Sequence, residues 1–523
     1  VGGGGARDAP RAAHRAPPGP GLGELTTIRQ APTVARILAA CLLAGLSGLG
    51  VPGSGAASAQ AGPTASDLRA AIESADALRV DGQPLRVGVL RELYAAIGFE
   101  PVWGADPAGA ARAALALEAL LGARDHGLVP AHYGLTSLRR RAEPATPAAA
   151  IERELLLTDA LLRLAVDLGA GRLRPASVQP DWGIPPPARE EPVRELADAI
   201  EAGTLAAWIE SLPPPHAGYA RLVAALRALH AAADRAARPR SGPDPRARQI
   251  AVNLERWRWL PRSLESRHVV VNAADATLVV VEDGAARLAS KVVVGDELHP
   301  TPVVRSEIGA IVFNPPWTVP TSIVVEEFLP KLRANPRFLL DNDITILDRP
   351  QDPYGLAIDW TAVSAQRFPF RLQQRPGGWN PLGRLRFATP NRFDVYLHDT
   401  PLPELFLRGD RALSHGCVRV ERARELAALV LAGQAAGRSD ALDRAMASRA
   451  TSVVIVSRPL PVYFLYWTAF VDDGGRLQLR DDPYDRDARV AAALSRATPA
   501  RARTAGPARA AAPGQDPGSA RRP

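Results

Sequence analysis

Apolar residues recur at three-and-four spacing through Asp67–Ile72, Leu90–Ile97, Ala110–Leu121 and Ile151–Leu168, the period of helices with one buried face. Gly98, Gly127 and Gly169 and the runs Pro185-Pro186-Pro187 and Pro213-Pro214-Pro215 punctuate them, so residues 64–236 predict a compact helical domain. Residues 237–248 are rich in proline and arginine and read as a linker. Beyond them the period changes. His268–Asn272, Ala276–Glu282, Leu288–Gly295, Ala310–Asn314, Phe393–Leu397 and Ser452–Ser457 are short valine- and isoleucine-rich runs, which predict strands. Two of them form a hairpin over Asp283-Gly284, and a second hairpin joins Val462–Val471 to Arg476–Arg480 over Asp472-Asp473-Gly474-Gly475. Glu421–Ala432 is the clear helix of this half. The expected class is α+β: a helical scaffold, then a β-rich domain over 249–487. The Ala-, Arg- and Pro-rich tail 488–523 reads as disordered.

Composition refines this picture at the ends. The chain has 523 residues, 46% of them hydrophobic, enough for two or three domains with real cores. Its formal charge is +8, but the arginines are dispersed among Asp and Glu rather than gathered on a face with aromatics, which argues against a nucleic-acid partner. Arg29 and Arg36 precede the apolar stretch 37–51, and Ala57-Ser58-Ala59 follows it. Residues 29–59 therefore predict an export signal cleaved before Gln60, or an uncleaved membrane tether through 37–51, and a periplasmic location. Leu38-Ala39-Ala40-Cys41 is a chance match to a lipoprotein box, since Arg36 lies too close to it. Residues 1–28 read as a disordered leader or a misassigned start.

Apart from Cys41 in that segment, Cys417 is the only cysteine, so the folded part has neither an internal disulfide nor a multi-cysteine zinc site. An ordinary thiol, with a pKa near 8.5, is only about 3% thiolate at pH 7; a thiol nucleophile needs a base or a positive field. His398, at the end of the Phe393–Leu397 run, and His415, two residues from the thiol, are the candidates. Gly416 permits a sharp turn that aims backbone amides at a developing oxyanion. Ser414 and Asp399 are able to orient an imidazole. His126, His132 and His216 sit in turn contexts and read as surface or capping residues. A zinc reading would ligate His398, His415 and Cys417, but no acidic partner in a His-x-Glu context accompanies them.

The run Ser414-His415-Gly416-Cys417-Val418-Arg419, with His398 upstream, resembles the signature of the L,D-transpeptidase catalytic domain of YkuD type. Asn253–Pro261, Asn314–Pro320, Asn380–Phe387 and Val395–Pro401 resemble its large YcbB-like branch. Phe99-Glu100-Pro101-Val102-Trp103, Asp125-His126-Gly127-Leu128 and Leu156–Ala160 resemble that branch's helical scaffold. The resemblance implies that Cys417 attacks the third residue of a peptidoglycan tetrapeptide stem, expels D-alanine and forms a thioester. The amine of a second stem then resolves it into a 3-3 cross-link. It implies His398 as base, His415 as a positioning residue, and the His415, Gly416 and Cys417 amides as the oxyanion hole. Substrate binding is expected of Tyr396, Ser414, Arg419, Asp399, Trp317 and Asn380, with no cofactor or metal, and carbapenem-class β-lactams are expected as covalent inhibitors.

Residues 321–379 resemble that branch's capping subdomain, flanked by Trp317 and Trp379; aromatic packing at a hinge is as good a reading of these tryptophans as substrate contact. The branch's small peptidoglycan-binding module has no counterpart, because only the linker stands in its place. The same fold also attaches proteins to the wall or releases them. A non-catalytic wall-binding protein is a further alternative, in which Cys417 would be dispensable.

Overall fold

The computed structural model describes residues 62–104, 106–236 and 244–496. The segments expected to be an export signal and a leader, residues 237–243 of the linker and the tail from 497 lie outside them. Among the described residues no helix is long and apolar enough to cross a membrane.

The helical half is built around Pro147–Ala170, which starts earlier than its apolar period suggests because Thr146 caps it, the hydroxyl accepting from the Ala149 amide at 3.1 Å. This helix is buried on nearly every side and carries carboxylates inward. Each is paired, as burial demands. Glu154 accepts from the amides of Val102 and Trp103 at 2.6 and 3.1 Å and from the Tyr94 hydroxyl at 2.9 Å. Asp159 pairs with Arg86 at 2.7 Å and with Arg163.

The β-rich half is a nine-stranded sheet that closes on itself. Ala285–Gly295 pairs in turn with Val418–Val420, then come Leu397–His398, Leu385–Ala388, Val304–Phe313, Ser452–Leu465, Arg267–Asn272 and Thr277–Glu282, which returns to Ala285–Gly295. Ala412–Ser414 adds to Ala285–Gly295 outside this closure. Closure removes the free edges that an open sheet would expose. The long strand Ser452–Leu465 shifts register between Ile455 and Leu460, where Pro459 cannot donate to the ladder.

One apolar core runs from this sheet into the helix Ala217–Asp234 through Tyr219, Leu222, Val223 and Leu226. Residues 235–244 are all that separate that helix from Pro245–Arg258, so helix replaces linker from Pro245 onward. Glu255, fully buried, ties the halves together. It accepts from the amides of Arg172 and Leu173 at 2.6 and 2.8 Å and from Arg258 at 2.9 Å. A side chain on Gly171 would collide with Glu255 and Trp259.

The cap has its own core of Val319, Val324, Leu329, Leu332, Trp360 and Leu372. It contains a three-stranded sheet, Trp317–Thr318, Leu372–Gln374 and Ile344–Ile346, and a π-helical turn, Val324–Phe328.

Three expectations are corrected. Phe393–Leu397 is not a strand until Leu397: the Asn391 side chain accepts from the Phe393 amide at 3.0 Å and donates to the Val395 carbonyl at 2.7 Å, and Asp394 is left-handed at φ 54°. The hairpin proposed from Val462 is shorter, pairing Ala469–Val471 with Leu477–Leu479, because Asn272 and Asn253 capture the Trp467 and Thr468 amides at 2.9 and 3.0 Å. The tail does not begin at 488. Arg486–Arg496 is a helix whose first amides are held by Asp482, and its Val490 is 0% exposed. Its few apolar residues are masked by alanine and arginine in the composition.

Val490→Asp places an unpaired charge in that contact and should lower stability by about 3 kcal/mol or more. Urea denaturation checks this; an unchanged midpoint would mean that the helix contributes nothing to the core.

Candidate active site

Two short strands carry the chemistry. Leu397–His398 and Val418–Val420 run parallel, with Leu397 opposite Val418 and His398 opposite Arg419, and the Val418 amide donates to the Tyr396 carbonyl at 3.0 Å. Tyr396, just before the first strand, and His398 within it have rings 5.8 Å apart, and Cys417, just before the second, accepts a hydrogen bond from the Tyr396 side chain.

The turn before Cys417 requires its glycine: Gly416 lies at φ 102°, where a side chain is strained. Its carbonyl accepts from the Thr301 hydroxyl at 2.8 Å, and that oxygen accepts from the Gly295 amide at 2.9 Å. Ser414 closes the turn from within, accepting from the Gly416 amide at 3.2 Å and donating to the Cys417 carbonyl at 2.5 Å. Ser414 is thus a turn lock rather than a partner for an imidazole or substrate. The Gly416 amide, one of the three expected to face an oxyanion, is already taken by the Ser414 hydroxyl.

Cys417 is free and half-buried, and its sulfur lies 3.8 Å from the Asp394 carbonyl. Burial pushes the thiol pKa up; hydrogen bonds from Tyr396 and the positive charges of Arg386 and Arg419 act in the opposite sense. Burial, and the charge of the sulfur, raise the Tyr396 phenol, so it stays a donor. The Arg386 guanidinium lies 5.5 Å from the Tyr396 ring centre, and the Nε atoms of Arg386 and Arg419 have no hydrogen-bond partner among the described residues.

His398 is 4% exposed, and its Nδ1 lies 2.6 Å from the Asp399 carbonyl. Burial, with Arg419 nearby, pushes its pKa down to about 3, so the ring is neutral at pH 7. The Pro381 carbonyl also faces it. A neutral imidazole donates to only one of the two carbonyls, and no hydrogen bond links it to the thiol. Asp399 orients the ring through its backbone oxygen, while its carboxylate accepts from the Arg384 amide at 2.8 Å.

His415 turns outward from the thiol turn and faces the cap, its Nε2 3.1 Å from Glu327. Asn380 does not line the groove. It is buried, donating to the Pro315 carbonyl at 3.0 Å and accepting from the Leu382 amide at 2.9 Å, which pins the base of the cap. Trp317 packs edge-on against Phe328 with ring centres 6.0 Å apart, as hinge packing requires. Trp379 is 89% exposed. Sequence reasoning assigned no role to Arg386, Thr301, His299, Glu326 or Glu327; Arg386 stood inside the quoted motif, but nothing local marks the others. A cleft of about 950 Å³ lined by His216, Trp257, His268 and Trp467 has none of the thiol-site residues in its walls.

With this geometry in place, comparison with known proteins is informative. Residues 266–455 match the L,D-transpeptidase catalytic domain of the YkuD family, and residues 88–226 match a Scaffold domain. The β-rich half is therefore similar, over those residues, to L,D-transpeptidase catalytic domains of the YkuD family. A Haemophilus influenzae protein assigned to the L,D-transpeptidases is 32% identical over 303 residues, 57% of this chain; the chain spans 59% of that relative's length. Among solved structures, the Ldtfm-avibactam carbamoyl enzyme aligns over 39% of this chain and 51% of its own, at 11% identity and a TM-score of 0.20. An L,D-transpeptidase from Mycobacterium smegmatis aligns over 38% and 58%, at 12% identity and a TM-score of 0.19.

A neutral His398 carries a stability cost in acid. Its folded pKa lies below the ordinary histidine value near 6.5, so the unfolded chain binds an extra proton as pH falls from about 6.5 toward 3, and stability is lost over that window. In thermal melts from pH 7 to pH 4, wild type should fall more steeply than His398→Gln, by on the order of a few kcal/mol. Parallel curves would contradict a neutral, buried ring.

Proposed function

We propose that the protein is a peptidoglycan L,D-transpeptidase of the periplasm that forms 3-3 cross-links. The observation that carries this reading is the arrangement around Cys417: a thiol on a glycine turn, hydrogen-bonded by Tyr396 and flanked by Arg386 and Arg419. The sulfur attacks the carbonyl of the third residue of a donor stem. The C–N bond to D-alanine breaks, and the thiol proton passes through the base to the departing amine. The thioester is then opened by the side-chain amine of a diaminopimelate on an acceptor stem, which restores the thiol.

His398 is the base. Its ring is neutral at pH 7 but only weakly basic where it rests, buried against backbone carbonyls; it has to turn toward the sulfur or reach it through water when substrate is bound, where a thiolate partner restores its affinity for the proton. Tyr396 and the two guanidiniums lower the cost of a thiolate in a buried site. The free Nε groups of Arg386 and Arg419 suit a substrate carboxylate, which a stem peptide supplies. Attachment of proteins to the wall or their release uses the same acyl-enzyme and differs only in the acceptor. A zinc centre on His398, His415 and Cys417 is not favoured, because His415 faces the cap while His398 is held by backbone.

Exposure to a carbapenem should add one drug mass to the intact protein and none to Cys417→Ala; an adduct that persists in the variant would remove the proposed nucleophile. In cells, loss of the gene should deplete 3-3 muropeptide dimers. Unchanged dimers alongside loss of a wall-linked protein would transfer the function to protein attachment.

A further inference from the structure

Beside the thiol, on the face turned toward the cap, lies a cluster that the transpeptidase reading does not use. His299, His415 and Glu326 each offer one ligand atom, and these atoms lie within 4.8 Å of one another. The two imidazole rings have centres 4.5 Å apart. His299 Nε2 is 3.4 Å from Glu326, and His415 Nε2 is 3.1 Å from Glu327.

The backbone under this cluster is firmly built. The loop from Gly295 to Thr301 folds back so tightly that a side chain on Gly295 would meet the His299 carbonyl at 2.0 Å. Thr301 bonds it to Gly416, and the Tyr484 hydroxyl donates to the Gly295 carbonyl at 2.7 Å. The second ring nitrogen of His299 has its own partner: Nδ1 lies 3.0 Å from Asp296 Oδ1, and the same oxygen accepts the His299 amide at 2.7 Å. A carboxylate on one imidazole nitrogen, with the other left to face a shared space, is the arrangement that orients histidine toward a metal. From the opposite side, the π-helical turn Val324–Phe328 presents Glu326 and Glu327 together, and such turns concentrate at functional sites.

We propose that His299, His415 and Glu326 form a site for a zinc-class divalent cation, with Glu327 as an available fourth ligand. Imidazole and carboxylate donors suit that class, and donors around a tetrahedral zinc sit about 3.3 Å apart, so rotation of exposed side chains is enough to close the set. Two of the ligands stand on the catalytic core and the carboxylates stand on the cap. The bound cation staples the cap to the turn that carries Cys417 and restricts entry to the groove. Lys331, 3.6 Å from Glu327, already competes for that carboxylate. The site uses no thiolate and does not depend on the proposed reaction.

The test is calorimetric titration of ZnCl2 into the untagged full chain carrying Cys417→Ala, so that the nucleophile cannot ligate. One zinc per chain is expected. His299→Ala and Glu326→Gln should each weaken binding by about ten-fold or more, while their zinc-free melting temperatures stay close to the parent's. Zinc should slow deuterium exchange across residues 323–329 in the parent and not in His299→Ala. Absence of binding at about millimolar zinc, or binding that both substitutions leave unchanged, would overturn the proposal. Should His299→Ala fail to fold, Glu326→Gln on the exposed cap turn decides alone.

Discussion

The Thr301 hydroxyl holds the active site together. Fully buried, it accepts from the Gly295 amide and donates to the Gly416 carbonyl, joining the end of a barrel strand to the turn that presents Cys417. A buried hydroxyl bonded on both sides is costly to remove, because each orphaned backbone group would then go unpaired. Through that one oxygen the left-handed Gly416, the thiol after it and the loop bearing His299 are placed relative to the sheet.

Two opposing electrostatic demands meet at the sulfur. Burial disfavours a thiolate, whereas the Tyr396 hydroxyl and the Arg386 and Arg419 guanidiniums favour it. The same burial keeps His398 neutral. The resting site therefore keeps its proton on sulfur and its imidazole neutral, with a phenol and two cations placed to favour negative charge on the sulfur. Such preorganised donors contribute most when charge develops in a site that excludes water, and the cap stands against this one through Glu326 and Glu327.

The sequence made the thiol turn legible because Ser-His-Gly-Cys is contiguous, and a glycine needed for backbone reasons stands out in a short motif. Period alone disclosed the helical and β-rich halves. What stayed hidden depends on side chains that capture backbone groups and on distant contacts. Asn391 unwinds the expected strand before His398 by capturing backbone groups, and composition concealed the terminal helix around Val490. Polar residues near the motif were easily over-read: Ser414 and Asn380 spend their hydrogen bonds on backbone, and Asp399 acts through its carbonyl. His299 lies 118 positions before Cys417 in the chain, and only the fold-back of the Gly295 loop brings it to His415.

The proposed reaction puts the acyl group of a stem peptide on the Cys417 sulfur. Incubation of the full chain with a disaccharide-tetrapeptide, followed by intact mass and free D-alanine, tests it most directly. The expected result is a covalent adduct on Cys417 equal to the donor less D-alanine, released D-alanine in step with it, and loss of both in Cys417→Ala. D-Alanine release that continues undiminished in Cys417→Ala would contradict it.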